Sequence, residues 1–117
     1  MREVKISSHE MRRVLESAFQ KNSFSKEQAK ILANIHTEST LDGINSHGIN
    51  RVPIFLDYVN KGLVKIDSIP TLIASMGSIE RWDGNLGSGI LNAISCTDRS
   101  ILLAKEHGMG MVALRNT

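Results

Sequence analysis

A chain of 117 residues, 41% hydrophobic and 22% charged, makes one small globular domain or a part of a larger one, and its 4% aromatic content leaves little for a base-stacking platform. Fourteen Lys and Arg against twelve Asp and Glu give a net charge of +2 with the basic residues dispersed, which argues against a nucleic-acid partner. The single cysteine, Cys96, excludes an intrachain disulfide and a multi-cysteine zinc site, the start "MREVKISSHEMRR" lacks the apolar core of a signal peptide, and no apolar run could span a bilayer, so a cytoplasmic protein without a membrane is expected.

In chain order, "VKIS" (4–7) reads as a short β-like run. Ser7 or Ser8 then caps a helix over 9–21, with Met11, Val14, Leu15, Ala18 and Phe19 on one apolar stripe. "NSFS" breaks it. Ser25 with Gln28 three residues on has the form of a capping box and opens a second helix. Its stripe is Ala29, Leu32, Ala33 and Ile35 or His36, continuing toward Leu41, and Gly43 with "INSHG" ends it. Pro53 is tolerated only in a first turn, so a third helix is predicted from Asn50, with Ile54, Leu56, Tyr58 and Val59 as apolar surface and Gly62 as its stop. His47 then lies in the lead-in loop and Arg51 in the first helical turn. Residues 63–84 read as extended, with "TLIAS" and "SIERW" forming a hairpin around Met76-Gly77. A fourth helix covers 88–107 and stops at Gly108, and "GMVALR" follows as a buried strand with one edge left bare. The class is α/β: a mainly helical segment, 1–65, then an incomplete α/β portion, 66–117.

The candidate chemistry centres on "NSHGINRVP" (45–53). A histidine can give a proton to a carbonyl under reduction, and an arginine presents a planar fork to a carboxylate. The amides of a helix's first turn would add to such an anion site. Loop His47 and first-turn Arg51 therefore suit a 2-oxo acid, although spacing alone reads more simply as a surface turn with a solvated arginine. Ser46 beside His47 does not suggest a catalytic triad, because sequence neighbours rarely have the needed geometry. "GNLGSG" (84–89) could cradle a phosphate, but its order is G-x-x-G-x-G and no acidic residue ends a second strand about twenty positions on, so a flexible lead-in to a helix is the simpler reading. His9, His36 and His107 lack HxxxH or HxH spacing, so no metal site is expected. His36 could pack or pair near Glu38, His107 suits a helix C-terminus, Trp82-Asp83 reads as packing and a turn, and Cys96 reads as a small buried residue.

Three segments in order, "TESTLDGINSHGINRVPIFLDYVNKG", "MGSIERWDGNLGSG" and "AKEHGMGMVALRN", resemble the type-2 malate/L-lactate dehydrogenase family. The first resembles its T-x-x-D/E-x-x-G-x-x-S-H-G-x-x-R-x-P segment. The resemblance implies a mixed-sheet, non-Rossmann oxidoreductase, typically a homodimer, that uses NADH or NADPH to interconvert small 2-oxo and 2-hydroxy acids. By position, His47 would bind substrate and donate the proton, Arg51 would hold the substrate carboxylate, and Ser46 would line the same pocket. Residues 66–117 would begin the cofactor-binding domain, with the cofactor contacts unassigned and no metal. A second family histidine, expected shortly after the R-N segment, is missing. The chain therefore resembles the N-terminal part of such an enzyme and is expected to be inactive alone. The alternative is a non-catalytic remnant or assembly module that pairs with a separate chain. The resemblance leaves the acid open between diketogulonate, malate, lactate and ureidoglycolate.

Overall fold

The computed structural model describes residues 3–117 and divides into two compact units, one ending at Lys61 and one beginning at Gly62. The first is helical. Helix α1 spans Ser8–Lys21 and is capped by Ser7, whose Oγ accepts the Glu10 N–H at 3.2 Å. Residues 4–7 form no strand, contrary to the sequence reading. Val4 and Ile6 are 75% and 55% exposed, and a four-residue run without a ladder partner has nothing to hold it extended. Helix α2, Lys26–Leu41, opens with the expected capping box: Ser25 Oγ accepts from Gln28 N–H at 3.1 Å and Gln28 Oε1 from Ser25 N–H at 3.0 Å. Arg12 ties α1 to α2 through Asn34 and Glu38.

The two helices bury Leu15 and Phe19 against Ala29, Leu32 and Ala33. Val14 and Leu41, assigned to the apolar stripes, are instead exposed. Helix α3, Val52–Asn60, is preceded by a 3-10 turn, Ile49–Arg51, so the α-helix starts two residues later than predicted. Pro53 sits in its first turn, where a missing N–H costs nothing. Its packing is corrected too: Val52 is buried and Phe55 joins the aromatic cluster, while Ile54 and Tyr58 face solvent. Phe55 stacks on Phe24 at 5.9 Å and meets Phe19 edge-on at 6.2 Å, which fixes α3 to the core by geometry that aromatic pairs favour.

The second unit is a mixed sheet with one helix. Strands β1 (Thr71–Met76) and β2 (Ile79–Asp83) form an antiparallel hairpin. The pair Met76↔Ile79 puts the turn at Gly77-Ser78, one residue later than the sequence suggested, because the left-handed φ of 61° falls to Gly77 at the first loop position. A bulge leaves Ile73 unpaired between Leu72 and Ala74. Helix α4, Gly89–His107, crosses over to β3, Met111–Arg115, which pairs parallel to β2. The strand order is β1-β2-β3, so β3 has one unpaired edge among the described residues. It is not the buried strand expected. Val112 and Leu114 are half-buried, whereas Met111, Ala113 and Arg115 are exposed. No helix among the described residues is long and apolar enough to cross a membrane.

One buried charge locks α4 to the sheet. Glu80 on β2 is 2% exposed and accepts from Arg99 Nε at 2.9 Å, Arg99 Nη2 at 2.6 Å and Trp82 Nε1 at 2.8 Å. These donors satisfy a carboxylate that would otherwise be costly to desolvate, and the Arg99 fork holds its pKa at about 2. Trp82 is thus a packing residue with its N–H paired, and Cys96 is buried with its thiol pKa pushed up by desolvation.

Candidate active site

The stretch 42–51 leaves α2 and returns against it. His47 N–H donates to the Ile44 carbonyl at 3.1 Å, and Arg51 N–H to the Gly48 carbonyl at 3.0 Å. Two side chains one helical turn apart on α2 receive the returning backbone. Thr40 Oγ1 accepts the Ile49 N–H at 2.9 Å and donates to the His36 carbonyl at 3.1 Å. The buried His36 ring, stacked on Phe19 at 5.9 Å, donates from Nδ1 to the Gly48 carbonyl at 3.3 Å. Gly48 has to be glycine here: a Cβ would stand 2.0 Å from Thr40 Oγ1 and 3.1 Å from Thr40 Cα.

From this anchored backbone Ser46, His47 and Arg51 stand exposed. Ser46 Oγ and His47 Nδ1 are 2.8 Å apart, a contact of sequence neighbours that does not have the geometry of a catalytic triad. The turn brings hydroxyl and ring together, but through Nδ1. A hydroxyl can donate to an imidazole nitrogen or accept from an imidazole N–H, and the contact takes up Nδ1, not Nε2. Arg51 lies in the 3-10 turn rather than in the first turn of α3. The tighter turn also uses the amides proposed as an anion site: Arg51 N–H bonds to Gly48 O, Val52 N–H bonds to Ile49 O, and Pro53 has none.

Sequence reasoning assigned Ser46, His47 and Arg51 but missed the roles of His36 and Thr40. The available signal was their spacing, i and i+4, which puts both on one helix face. Burial is the main cause that lowers the His36 pKa, opposed by its backbone hydrogen bonds to Gly48 and His47. The unfolded ring titrates near 6.5, so below that pH the unfolded chain binds more protons and stability falls as pH drops toward the lowered folded value. Urea midpoints of the helical unit, followed by circular dichroism, should therefore fall between pH 7 and 5. The His36→Gln variant should lose that part of the slope, and an unchanged slope would refute the buried-histidine explanation.

The loop 84–89 is not the flexible segment expected. Gly84 N–H donates to Arg115 O at 2.8 Å, Leu86 N–H to Asn116 O at 2.7 Å and Gly87 N–H to Gly84 O at 2.9 Å. Asn92 Nδ2 reaches Gly84 O at 3.1 Å and Thr117 Oγ1 at 2.8 Å. Asp83 accepts from Asn85 N–H, Asn116 and Arg115, which hold its carboxyl below the ordinary range. A Cβ on Gly84 would meet Asn92 Nδ2 at 2.6 Å, so the start of the loop is closely packed by the chain's own residues. The buried Ser88 Oγ is the one side-chain atom of its kind without a partner among the described residues. Among the described residues no cluster of three His, Cys, Asp or Glu could hold a metal ion.

The helical unit with its anchored Ser-His-Gly turn and the mixed sheet crossed by α4 make this an α/β protein. The chain belongs to the malate/L-lactate dehydrogenase family, whose family model matches residues 6–117. It is 37% identical over 113 residues to 2,3-diketo-L-gulonate reductase of Haemophilus influenzae, a match covering 97% of this chain and 34% of that protein. The Salmonella typhi protein of the same name is 34% identical over 113 residues, with the same coverage. Among solved structures, malate dehydrogenase from Pyrococcus horikoshii OT3 matches with a TM-score of 0.92 at 26% identity, covering 97% of this chain and 32% of that one. Sulfolactate dehydrogenase from Methanocaldococcus jannaschii matches with a TM-score of 0.88 at 26% identity, covering 95% and 32%. The chain thus spans about a third of the length of the relatives it matches.

Proposed function

We propose that this chain forms the substrate-facing part of an NAD(P)H-dependent oxidoreductase that interconverts a small 2-oxo acid and its 2-hydroxy acid, with 2,3-diketo-L-gulonate as the first candidate and malate or lactate as the others. The observation that carries it is the anchored turn that holds Ser46, His47 and Arg51 exposed beside one another in sequence, with His47 Nε2 left open by the Ser46 contact at Nδ1. Converting a 2-oxo acid to a 2-hydroxy acid takes a hydride at carbon and a proton at oxygen. A nicotinamide dinucleotide, NADH or NADPH, would supply the hydride, and none of the described residues is assigned to holding it. His47 gives the proton from Nε2, and Ser46 steadies the ring through Nδ1 in both of its states. Arg51 forks the substrate carboxylate, which fixes the carbonyl relative to His47. In this reading the unit from Gly62 begins the cofactor-binding domain, and the protein works as a cytoplasmic homodimer.

A chimera tests the proposal: this chain replaces the matching first third of the Haemophilus influenzae reductase. With NADH and 2,3-diketogulonate, pyruvate or oxaloacetate it should turn over at about 1 per second or faster, while the 117-residue chain alone should show no turnover. Among the described residues β3 has an unpaired edge, which favours one second reading, a non-catalytic remnant or assembly module that pairs with a separate chain. A folded chimera that binds NADH but reduces none of the three acids would select it.

A further inference from the structure

We propose that Thr40 and His36 are positioning residues for the proton donor and the carboxylate clamp, a role that rests on the reading of His47 and Arg51 given above. Neither His47 nor Arg51 is buried, so packing does little to place them. Their placement has to come from the backbone between them, residues 48–50. Thr40 and His36 are the side chains that bond to it. Thr40 Oγ1 takes the Ile49 N–H at 2.9 Å, and His36 Nδ1–H reaches the Gly48 carbonyl at 3.3 Å. That carbonyl also accepts the Arg51 N–H at 3.0 Å. One oxygen therefore joins the α2 anchor directly to the residue that carries the clamp, and the residue before it in the chain is His47.

Thr40 is suited to this by being donor and acceptor at once. Its hydrogen goes to the His36 carbonyl at 3.1 Å, which aims a lone pair at Ile49. Gly48 completes the arrangement, because only a residue without Cβ lets the strand of backbone lie this close to the hydroxyl. The Phe19 stack and burial hold the His36 ring in turn. Release of this anchor would leave α2 and α3 in place and free the turn between them. Misplacement by about 1 Å at a reacting group can cost about 100-fold in rate, so the loss should be functional before it is structural.

The test compares Thr40→Val, which keeps the shape and loses the hydroxyl, with Thr40→Ser, which keeps the hydroxyl. In the 117-residue chain, amide hydrogen exchange at Ile49 should be at least about 10-fold faster in Thr40→Val than in the wild type or Thr40→Ser, with the amides of α1 and α2 unchanged. In the chimera, Thr40→Val should lower kcat/KM for the 2-oxo acid by about 10- to 100-fold through both kcat and KM, leave the KM for NADH within about twofold, and be rescued by Thr40→Ser. Equal Ile49 exchange in wild type and Thr40→Val overturns the proposal. So does an active chimera in which Thr40→Val matches the wild type. A wild-type chimera without turnover overturns the function reading, and catalytic positioning with it, and is told apart because no variant is then involved. If Thr40→Val does not fold, Gly48→Ala presses the same backbone off the same hydroxyl and is read by the same two signals.

Discussion

In an enzyme that carries this chain as its first third, Arg51→Ala will lower kcat/KM for the 2-oxo acid by about 100-fold and leave the KM for NADH within about twofold. A bidentate guanidinium–carboxylate contact supplies both charge and orientation, and alanine removes both. Arg51→Lys keeps the charge but not the planar fork, so it should recover only part of the loss. His47→Gln should act differently, lowering kcat by about 100- to 10,000-fold because it removes the proton and keeps similar size. Steady-state kinetics with both substrates varied, on variants whose circular dichroism is unchanged, separates these effects. If Arg51 is only a solvated residue of a surface turn, Arg51→Ala will leave kcat/KM within a factor of about two, as surface substitutions usually do. That result would end the carboxylate-clamp reading.

Acidification will destabilise the sheet unit through Glu80. Its folded pKa of about 2 lies below the ordinary 4.5, so its contribution to stability is complete above pH 4.5 and is lost as pH falls from 4.5 toward 2. The linkage is worth at most about 3 kcal/mol. Water screening at Arg99, whose side chain is 38% exposed, reduces it below that bound. Trp82 is the only tryptophan and donates to this carboxylate, so its fluorescence reports on the unit directly. Glu80→Gln should reduce the dependence of the urea midpoint on pH between 4.5 and 2, leaving the part due to Asp83, and should lower the midpoint at pH 7, where the Arg99 fork loses its ionic partner. A variant with the wild-type pH dependence would show that Glu80 does not carry the acid sensitivity. The His36 window lies higher, below 6.5, and in the other unit, so the two titrations are distinguishable by pH and by probe.

Local rules account for much of what the sequence determined by itself. The capping box at Ser25 and Gln28, the Pro53 turn, the stop at Gly108 and the apolar stripes of α1 and α2 depend on neighbours within four residues, so they are legible in one dimension. The family was legible as well, through the three ordered segments. His47 and Arg51 were singled out by residue type and spacing and Ser46 by the family resemblance, but spacing could not separate a site from a solvated turn.

Only the tertiary structure decided the rest, because it depends on partners far apart in the chain. "VKIS" has strand-like residues but no ladder partner, so it is no strand. The glycines of 84–89 look permissive in sequence, yet Asn92, Arg115, Asn116 and Thr117 close the loop from outside it. Glu80 and Arg99 are nineteen residues apart, and neither shows in the sequence that it is half of a buried pair. In sequence His36 could pack or pair near Glu38, and Gly48 carried no reading of its own. Their meeting, with Thr40 between them, makes the turn an anchored platform, since a hydrogen bond across twelve residues is fixed by the path of the backbone and not by the identity of either end.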